Sequence, residues 1–311
     1  NRYNRAVQLL EEMNRRGKFG KIYHVYCSFR SYRCIPGLGG EEYAENELDK
    51  WLDLNYTVPY NIEVVYRWDA AQSYSSLSEV QLVPVEFDAV QPMMAALRDV
   101  WFKPYIQATG NSLDFLKEVA PKKIVLVGSP EYQNGSFKLG QAEGGRKILL
   151  LNVNNFDASN ENELKEALHT IVHEFTHILH QTKLFNQEYQ PISTGRYNSN
   201  WTLLNDSEAR HQGFITNYAM LNKDEDFAEM VSGILVFGYE WFKDTVLAEA
   251  AKSTENPHAK ADLEAKLAIV NSYFKETWNI EFFDNETSGE PGLESYFRMA
   301  IEEVVSNPPT K

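Results

Sequence analysis

Cysteine is scarce in this sequence. Among 311 residues only Cys27 and Cys34 occur. Two cysteines cannot form the disulfide framework of a small secreted domain, and a zinc site built only from thiolates needs more of them. The two could pair with each other if the chain turns back between them, or remain as two thiols. A chain of this length can instead bury a large hydrophobic core.

Long apolar runs are also lacking. The most apolar stretch covers residues 231–242 and contains Glu240, whereas a transmembrane helix needs about 20 consecutive apolar residues. We therefore expect no transmembrane span. No charged start followed by an apolar run and a small-residue cleavage site is visible. We expect either a cytosolic protein or one whose targeting segment has been removed.

Positive charge is in short supply over most of the chain. The formal net charge is −14 and the sequence pI is about 5.0. Binding to nucleic acid depends on a basic face that meets the phosphates, so we expect no nucleic-acid partner. Residues 1–35 are the exception, because eight Lys or Arg against two Glu give this segment a balance of +6.

Strand-like patterns come before the strongest helical patterns. Predicted strands cover residues 61–68, 122–128 and 147–153, and Asn134-Gly135 marks a hairpin turn. A long amphipathic helix is predicted from about residue 160, with Glu163 at the position that completes a capping box. Further helices are predicted at 42–54, 88–105, 224–242, 260–277 and 293–305. The pattern predicts an α+β fold in which a mixed sheet precedes the long helix and more helices follow it.

The long helix contains the pattern His173-Glu174-Phe175-Thr176-His177. Each helical residue advances about 100°, so the two histidines lie about 40° apart and one turn from each other. Both imidazoles can therefore reach one metal ion. Glu174 lies to the side, where it can reach a water on the metal. Shuffling this composition would give the pattern roughly 0.016 times. The motif predicts one Zn²⁺ per chain, with Glu174 activating the water.

Two further histidines extend the same stripe of the helix. His169, His173, His177 and His180 fall within about 80° of one another, so the pairs His169/His173 and His177/His180 are geometrically possible ligand pairs. Only the central pair brackets a glutamate, and we therefore assign His169 and His180 to the surroundings of the site. A metzincin would need a third histidine where this chain has Lys183.

A third ligand must come from elsewhere, because catalytic zinc keeps three protein ligands and one open position. The best candidate segment is 224–230, where Glu225 and Glu229 lie one turn apart on one helical face. One carboxylate can bind the metal while the other supports the site. The acids could also be surface residues favoured by the helix dipole. Weaker rivals stand in a less regular segment: Asp206, Glu208 and His211.

The motif and this acidic segment together resemble gluzincins of the anthrax lethal-factor type. In that family the first Glu of an E-x-F-A-E segment is the third zinc ligand, and Glu225-Asp226-Phe227-Ala228-Glu229 matches that segment. The family also has an active-site tyrosine seven residues before this Glu, where this chain has Tyr218. The resemblance implies that Glu225 is the third ligand and that Tyr218 donates a hydrogen bond during the reaction.

A longer resemblance covers residues 43–280. Segments 57–68, 126–130, 142–147, 152–157 and 273–279 resemble the putative zinc-binding metallopeptidases of Bacteroidetes, also called substrate import-associated zinc metallohydrolase lipoproteins. The resemblance implies a zincin-like fold and a cell-envelope lipoprotein, in the periplasm or at the outer-membrane surface, that partners a nutrient-import system. We divide the chain into four parts. Residues 1–42 have no assigned role, and residues 43–158 form an α/β part with the sheet. Residues 159–282 form a helical catalytic part, and residues 283–311 form a tail with a short helix.

Together these features predict a metallopeptidase that hydrolyses peptide bonds with a metal-activated water and Glu174 as general base. A peptide or protein substrate is expected to contact Tyr197 and Trp201 and to pair with the strand at 147–153. Three alternatives stay open. They are a zinc-containing binding component of an import system without turnover, a hydrolase of other amides such as those of cell-wall peptides, and a chance motif in a protein without metal.

Overall fold

The computed structural model describes residues 46–67, 82–133, 136–138, 140–143 and 147–309. The described residues from Glu47 onward form one unit by the pattern of their contacts. Several predictions fall outside the described residues: those for Cys27, Cys34, the segment 1–42 and the Asn134-Gly135 turn itself. The boundaries predicted at 158/159 and 282/283 stay predictions.

Helices dominate the described part of the chain. The strands are β1 (Glu63–Val65), β2 (Lys123–Leu126), β3 (Glu131–Gln133), β4 (Ser136–Lys138), β5 (Gly140–Glu143) and β6 (Lys147–Leu150). The α-helices are α1 (Glu47–Leu52), α2 (Val58–Tyr60), α3 (Phe87–Leu97), α4 (Lys103–Ala108), α5 (Asp114–Val119), α6 (Glu161–Thr182), α7 (Tyr189–Ile192), α8 (Asp206–His211), α9 (Lys223–Phe237), α10 (Tyr239–Trp241), α11 (Ala248–Ala250), α12 (Ala259–Ser272) and α13 (Leu293–Ser306).

Wider π-helical turns extend or join several of these helices, at Asp53–Thr57, Arg98–Phe102, Phe242–Leu247 and Tyr273–Thr277. Two of them come directly before helices whose second residue is a proline, Pro59 in α2 and Pro104 in α4. A proline ring clashes with the carbonyl four residues earlier, and a wider turn relieves that clash. The helices predicted at 88–105, 260–277 and 293–305 are confirmed to within a few residues, the first two with a π turn included. The helix predicted at 42–54 is confirmed from Glu47 onward.

A mixed sheet is formed by four of the described strands, in the order β1-β2-β6-β5. β1, β2 and β6 are parallel, and β5 is antiparallel to β6. The strands predicted at 61–68, 122–128 and 147–153 are confirmed as shorter segments. The pairing of a substrate with the strand at 147–153 is contradicted, because β6 is hydrogen-bonded on both sides. β3 and β4 pair antiparallel on either side of the predicted hairpin turn.

Alternate residues of β2 and β6 face two different hydrophobic clusters. On one face the main core receives Ile124, Leu126, Ile148 and Leu150. On the other face a smaller cluster is formed by Leu82, Val125, Val127, Leu149 and Leu151. Because side chains alternate along a strand, both faces are covered, as is typical of parallel strands. This double burial explains why the sequence of each strand is an unbroken apolar run.

The apolar face of α6 fixes where its histidines point. The apolar residues of this face are buried, with Ala167 half-buried: Leu164, Leu168, Ile171, Val172, Phe175 and Leu179. Phe175 packs edge-on against Trp101 and Tyr105, with ring centroids 5.4 and 5.2 Å apart. Since this face is anchored in the core, the opposite stripe, which carries the histidines, is turned toward α9.

The N-terminus of α6 is capped differently from the prediction. Asn160 accepts a hydrogen bond from the Asn162 backbone N–H. A capping box would require Glu163 to accept from the N-cap backbone. Instead the Glu163 carboxylate accepts from the Asn160 side-chain amide and from the Asp157 backbone N–H. The predicted start of the helix is confirmed, and the predicted capping box is wrong.

α9 begins and ends at clear local signals. The Asn222 side chain accepts hydrogen bonds from the backbone N–H groups of Asp224 and Glu225, which caps the first turn. The helix ends at Phe237, five residues before the predicted 242. Gly238 takes a φ of +91°, a conformation that favours glycine and breaks the α-helix.

The described residues therefore form a mostly helical α+β fold around a small mixed sheet, which confirms the predicted class at that level. α6 and α9 pack against each other in antiparallel directions, with His177 beside Glu225 and His169 beside Ser232. Within the described part of the chain, no helix has both the length and the apolar character needed to cross a bilayer.

Candidate metal centre

Three ligand-type atoms meet between α6 and α9. His173 Nε2 lies 2.9 Å from Glu225 Oε2, and His177 Nε2 lies 3.0 Å from the same oxygen. The two Nε2 atoms are 3.0 Å apart. Among the described residues, this is the one group of three His, Cys, Asp or Glu side chains whose ligand atoms converge. Asp206, Glu208 and His211 do not take part.

The size and chemistry of this triangle fit Zn²⁺. Zinc bound at about 2.0–2.1 Å to each of three ligands in a tetrahedron places the ligand atoms roughly 3.3 Å from one another. The observed separations of 2.9 to 3.0 Å are slightly tighter. Two imidazole nitrogens and one carboxylate oxygen are also a typical donor set of a catalytic zinc site. The residues present therefore fit the ion.

Glu225 is held as a carboxylate in this arrangement. Burial alone would raise its pKa, but hydrogen bonds from His173 and His177 keep the pKa well below the usual range. Its side chain is 17% exposed, compared with 7% for His173 and 14% for His177. Glu225 and His177 thus retain a small exposed fraction.

Glu229 stands behind His173, on the side away from Glu225. Its Oε1 lies 2.7 Å from His173 Nδ1, although the oxygen lies off the N–H direction. Its Oε2 accepts a hydrogen bond from Thr216 Oγ1 at 2.7 Å. Burial opposes the charge of Glu229, but His169, His173 and Thr216 outweigh that effect and lower its pKa to about 2. A carboxylate in this position favours a proton on Nδ1 and leaves Nε2 free for a metal.

His180 plays the equivalent part for His177. The two rings meet with His177 Nδ1 2.9 Å from His180 Nε2. Burial, together with the nearby His177, lowers the pKa of His180 to about 4, so His180 is neutral near neutral pH. A neutral His180 accepts the Nδ1 proton of His177, which again leaves the Nε2 atom of His177 as a ligand.

His169 lies one turn before His173 and outside the triangle. Its Nε2 is 3.1 Å from Ser232 Oγ and 3.7 Å from Glu229 Oε1. Burial lowers its pKa. The structure therefore brings His169 beside the carboxylate that supports His173, and not beside the position a metal would take.

Glu174 and Tyr218 both lie close to His173. Glu174 is half-exposed, and its charge acts on both His173 and Tyr218. The Tyr218 ring lies 5.6 Å from the His173 ring. Burial and the charges of Glu225 and Glu174 raise the pKa of Tyr218 well above its ordinary value. The hydroxyl therefore stays protonated and able to donate a hydrogen bond.

The same stretch of chain matches a known family. The sequence profile of the family described as "Putative zinc-binding metallo-peptidase" matches residues 41–283. The chain belongs to this family. It is also similar to the crystal structure of a putative zinc-binding metallo-peptidase from Bacteroides caccae, with 31% identity and a TM-score of 0.67. That similarity covers 86% of this chain and 95% of the other. No curated protein matches the chain.

The two residues predicted as substrate contacts lie in different surroundings. Trp201 packs edge-on against Tyr218, with ring centroids 4.9 Å apart, so it lies beside the candidate metal centre. Tyr197 instead donates a hydrogen bond from its hydroxyl to Asp226 at 3.2 Å and packs on Phe214. Its hydroxyl is engaged in the interior, while its predicted contact with substrate stays a prediction.

Three residues around the candidate metal centre were not predicted from the sequence. Asn222 could have been found, because an Asn before a run of acidic residues is a typical N-cap pattern. Thr216 supports Glu229 from a loop, and no spacing rule connects the two. Ser232 lies on α9 one turn after Ala228, and its contact with His169 depends on how the two helices pack.

Proposed function

We propose that this protein is a zinc-dependent peptidase of the gluzincin type, in which His173, His177 and Glu225 hold one Zn²⁺ and Glu174 acts as general base. The observation that carries the proposal is the convergence of two Nε2 atoms and one carboxylate oxygen within 3.0 Å of one another. Glu174 follows His173 directly in the chain, beside this triangle. A site meant only to bind zinc would not need a glutamate there.

Bound Zn²⁺ would polarise a substrate carbonyl and lower the pKa of a water molecule toward about 7. The protein supplies the remaining chemistry. Glu174 accepts the proton of the attacking water and passes it to the leaving nitrogen. The Tyr218 hydroxyl donates a hydrogen bond to the carbonyl oxygen as negative charge develops on it. Its raised pKa keeps that donor protonated through the neutral range.

Two features of the chain support an extended peptide as the substrate. β5 is an edge strand of the described sheet and lies against α6. A peptide chain can add to such an edge through main-chain hydrogen bonds. Trp201 and Leu203 form one 3-10 turn beside Tyr218, and Leu203 is 81% exposed. We assign this turn to contact with an apolar substrate side chain.

Substitution of the base tests the proposal. A Glu174→Gln variant keeps the shape of the side chain but cannot accept a proton from water. We expect zinc content equal to that of the wild type and a loss of turnover of roughly 10²- to 10⁴-fold on a peptide library. Zinc is measured by elemental analysis and cleavage by mass spectrometry. Full cleavage by the Glu174→Gln variant would refute the assignment of the base.

A matched control separates loss of chemistry from damage to the fold. Glu166 lies two turns earlier on α6 and is exposed. A Glu166→Gln variant removes the same charge from the same helix, and we expect it to retain both zinc and turnover. A wild-type protein that takes up no zinc would reject the proposed function as a whole.

A further inference from the structure

A buried ion pair includes the residue that follows Glu225 in the chain. Lys266 Nζ is 2.7 Å from Asp226 Oδ2, and both side chains are 0% exposed. Lys266 comes from α12, and Asp226 comes from α9, next to Glu225. Transfer of two charges into a protein interior costs several kcal/mol per ion, so a buried pair of this kind is weak evidence of stabilisation. Such pairs are retained in some proteins because they specify one geometry.

The Lys266 ammonium joins α9, which supplies Glu225, to the segment that carries Thr216 and Tyr218. Besides the Asp226 carboxylate on α9, it donates a hydrogen bond to the Gly213 carbonyl at 2.8 Å. It also lies 4.1 Å from the centre of the Phe214 ring. Gly213 and Phe214 begin the segment that continues to Thr216 and Tyr218. One charged group thus ties α9 to that segment.

α9 and the segment that carries Thr216 and Tyr218 also meet beside the metal centre. Glu229 on α9 accepts a hydrogen bond from Thr216, and the charge of Glu225 on α9 acts on Tyr218. Asp226 lies between these two glutamates in the chain, about 100° from Glu225 and about 60° from Glu229 around the helix axis. A rotation or shift of α9 that displaced Asp226 would therefore displace Glu225 and Glu229 as well.

We propose that the Lys266–Asp226 ion pair positions the metal centre by holding Glu225 and Glu229 in register with Thr216 and Tyr218. Lys266 and Asp226 are positioning residues, since neither reaches the converged ligand atoms. This inference rests on the proposed zinc site. Outer contacts of this kind typically change metal affinity by about 10- to 100-fold when removed.

The test replaces both charges together, because removal of one would leave the other buried and unpaired. We expect an Asp226→Leu/Lys266→Met double variant to fold and to bind zinc about 10- to 100-fold more weakly in a chelator competition. We also expect an altered visible absorption spectrum with Co²⁺ in place of Zn²⁺, because that spectrum reports ligand geometry. Unchanged zinc affinity together with an unchanged Co²⁺ spectrum would overturn the inference.

A neighbouring ion pair provides the control. Arg196 Nη2 lies 2.6 Å from Asp262 Oδ2, close to Lys266 but with neither partner on α9. An Arg196→Met/Asp262→Leu variant should lower the melting temperature and leave zinc affinity within about twofold of the wild type. A purely structural role for Lys266 and Asp226 would give both double variants this same behaviour.

A milder variant keeps the test decisive if the double variant fails to fold. Asp226→Asn preserves the shape of the side chain and its ability to accept from Tyr197 and Lys266. We expect several-fold weaker zinc binding and a shifted Co²⁺ spectrum. Wild-type zinc affinity in Asp226→Asn would also overturn the inference. Absence of zinc binding in the wild type would instead point to failure of the proposed function.

Discussion

His173 has a charge state that depends on whether a metal is bound. Burial disfavours its charged form, but the contacts with Glu225 and Glu229 outweigh burial and raise its pKa to about 10. In the metal-free protein His173 is therefore protonated near neutral pH. This charged form stabilises the fold below the unfolded pKa of about 6.5, and the stabilisation is lost as the pH rises through about 10.

Zinc must displace the proton of His173, because only a neutral imidazole can bind the metal. We expect the apparent zinc affinity to increase by about tenfold per pH unit between roughly pH 7 and 9, with about one proton released per ion. Titration calorimetry in two buffers of different ionisation enthalpy measures that release. Glu229→Gln removes one cause of the raised pKa and should reduce the proton count near pH 8. Zinc binding that releases no proton would contradict this account of His173.

At the scale of helices, the cap of α9 links local structure to the site. Asn222 accepts from the N–H of Glu225, the same residue whose carboxylate faces the two histidines. Loss of an N-cap costs about 1 kcal/mol. We expect Asn222→Ala to lower stability by about this amount and also to weaken zinc binding. Denaturant unfolding and chelator competition measure the two effects.

The capping box of α8 offers a matched comparison for that prediction. Asn205 accepts from the Glu208 backbone N–H, and the Glu208 carboxylate accepts from the Asn205 backbone N–H. Asn205→Ala should cost a similar free energy of unfolding with no change in zinc affinity, because α8 supplies none of the converged atoms. Equal zinc affinities in the Asn222→Ala and Asn205→Ala variants would show that the α9 cap does not position Glu225.

The elements differ in how well the sequence predicts them, for physical reasons. α6 was predicted with its start and its buried face because hydrophobic spacing and an N-cap residue are local properties. The free edges of the sheet could not be predicted. An apolar run such as β6 indicates that a strand is buried, but it does not indicate which strands are its neighbours. The end of α9 at Gly238 was missed because a single glycine is also tolerated inside helices.

At the scale of the whole molecule, the candidate site joins distant parts of the chain. The His173–Glu225 contact was predicted from motif spacing and family resemblance, because both halves belong to short recognisable segments. The contacts of Lys266 were not predicted, since a lysine on α12 shows no sequence signal for a buried carboxylate 40 residues earlier. The cell-envelope location, the lipid anchor and the import partner stay predictions.

Zinc should stabilise the folded protein, because its ligands come together only when α6 and α9 pack. His177 and Glu225 are 48 residues apart in the chain, so the unfolded chain offers no comparable site. At a zinc concentration 100 times the dissociation constant, binding adds about 2.7 kcal/mol. For a protein of this size we expect a rise in melting temperature of roughly 5–10 °C over the chelator-treated protein.

Glu225→Ala should abolish most of this rise, whereas Glu208→Ala should lower the melting temperature yet keep the zinc-dependent increase. A full increase in Glu225→Ala would mean that the carboxylate of α9 does not bind the ion.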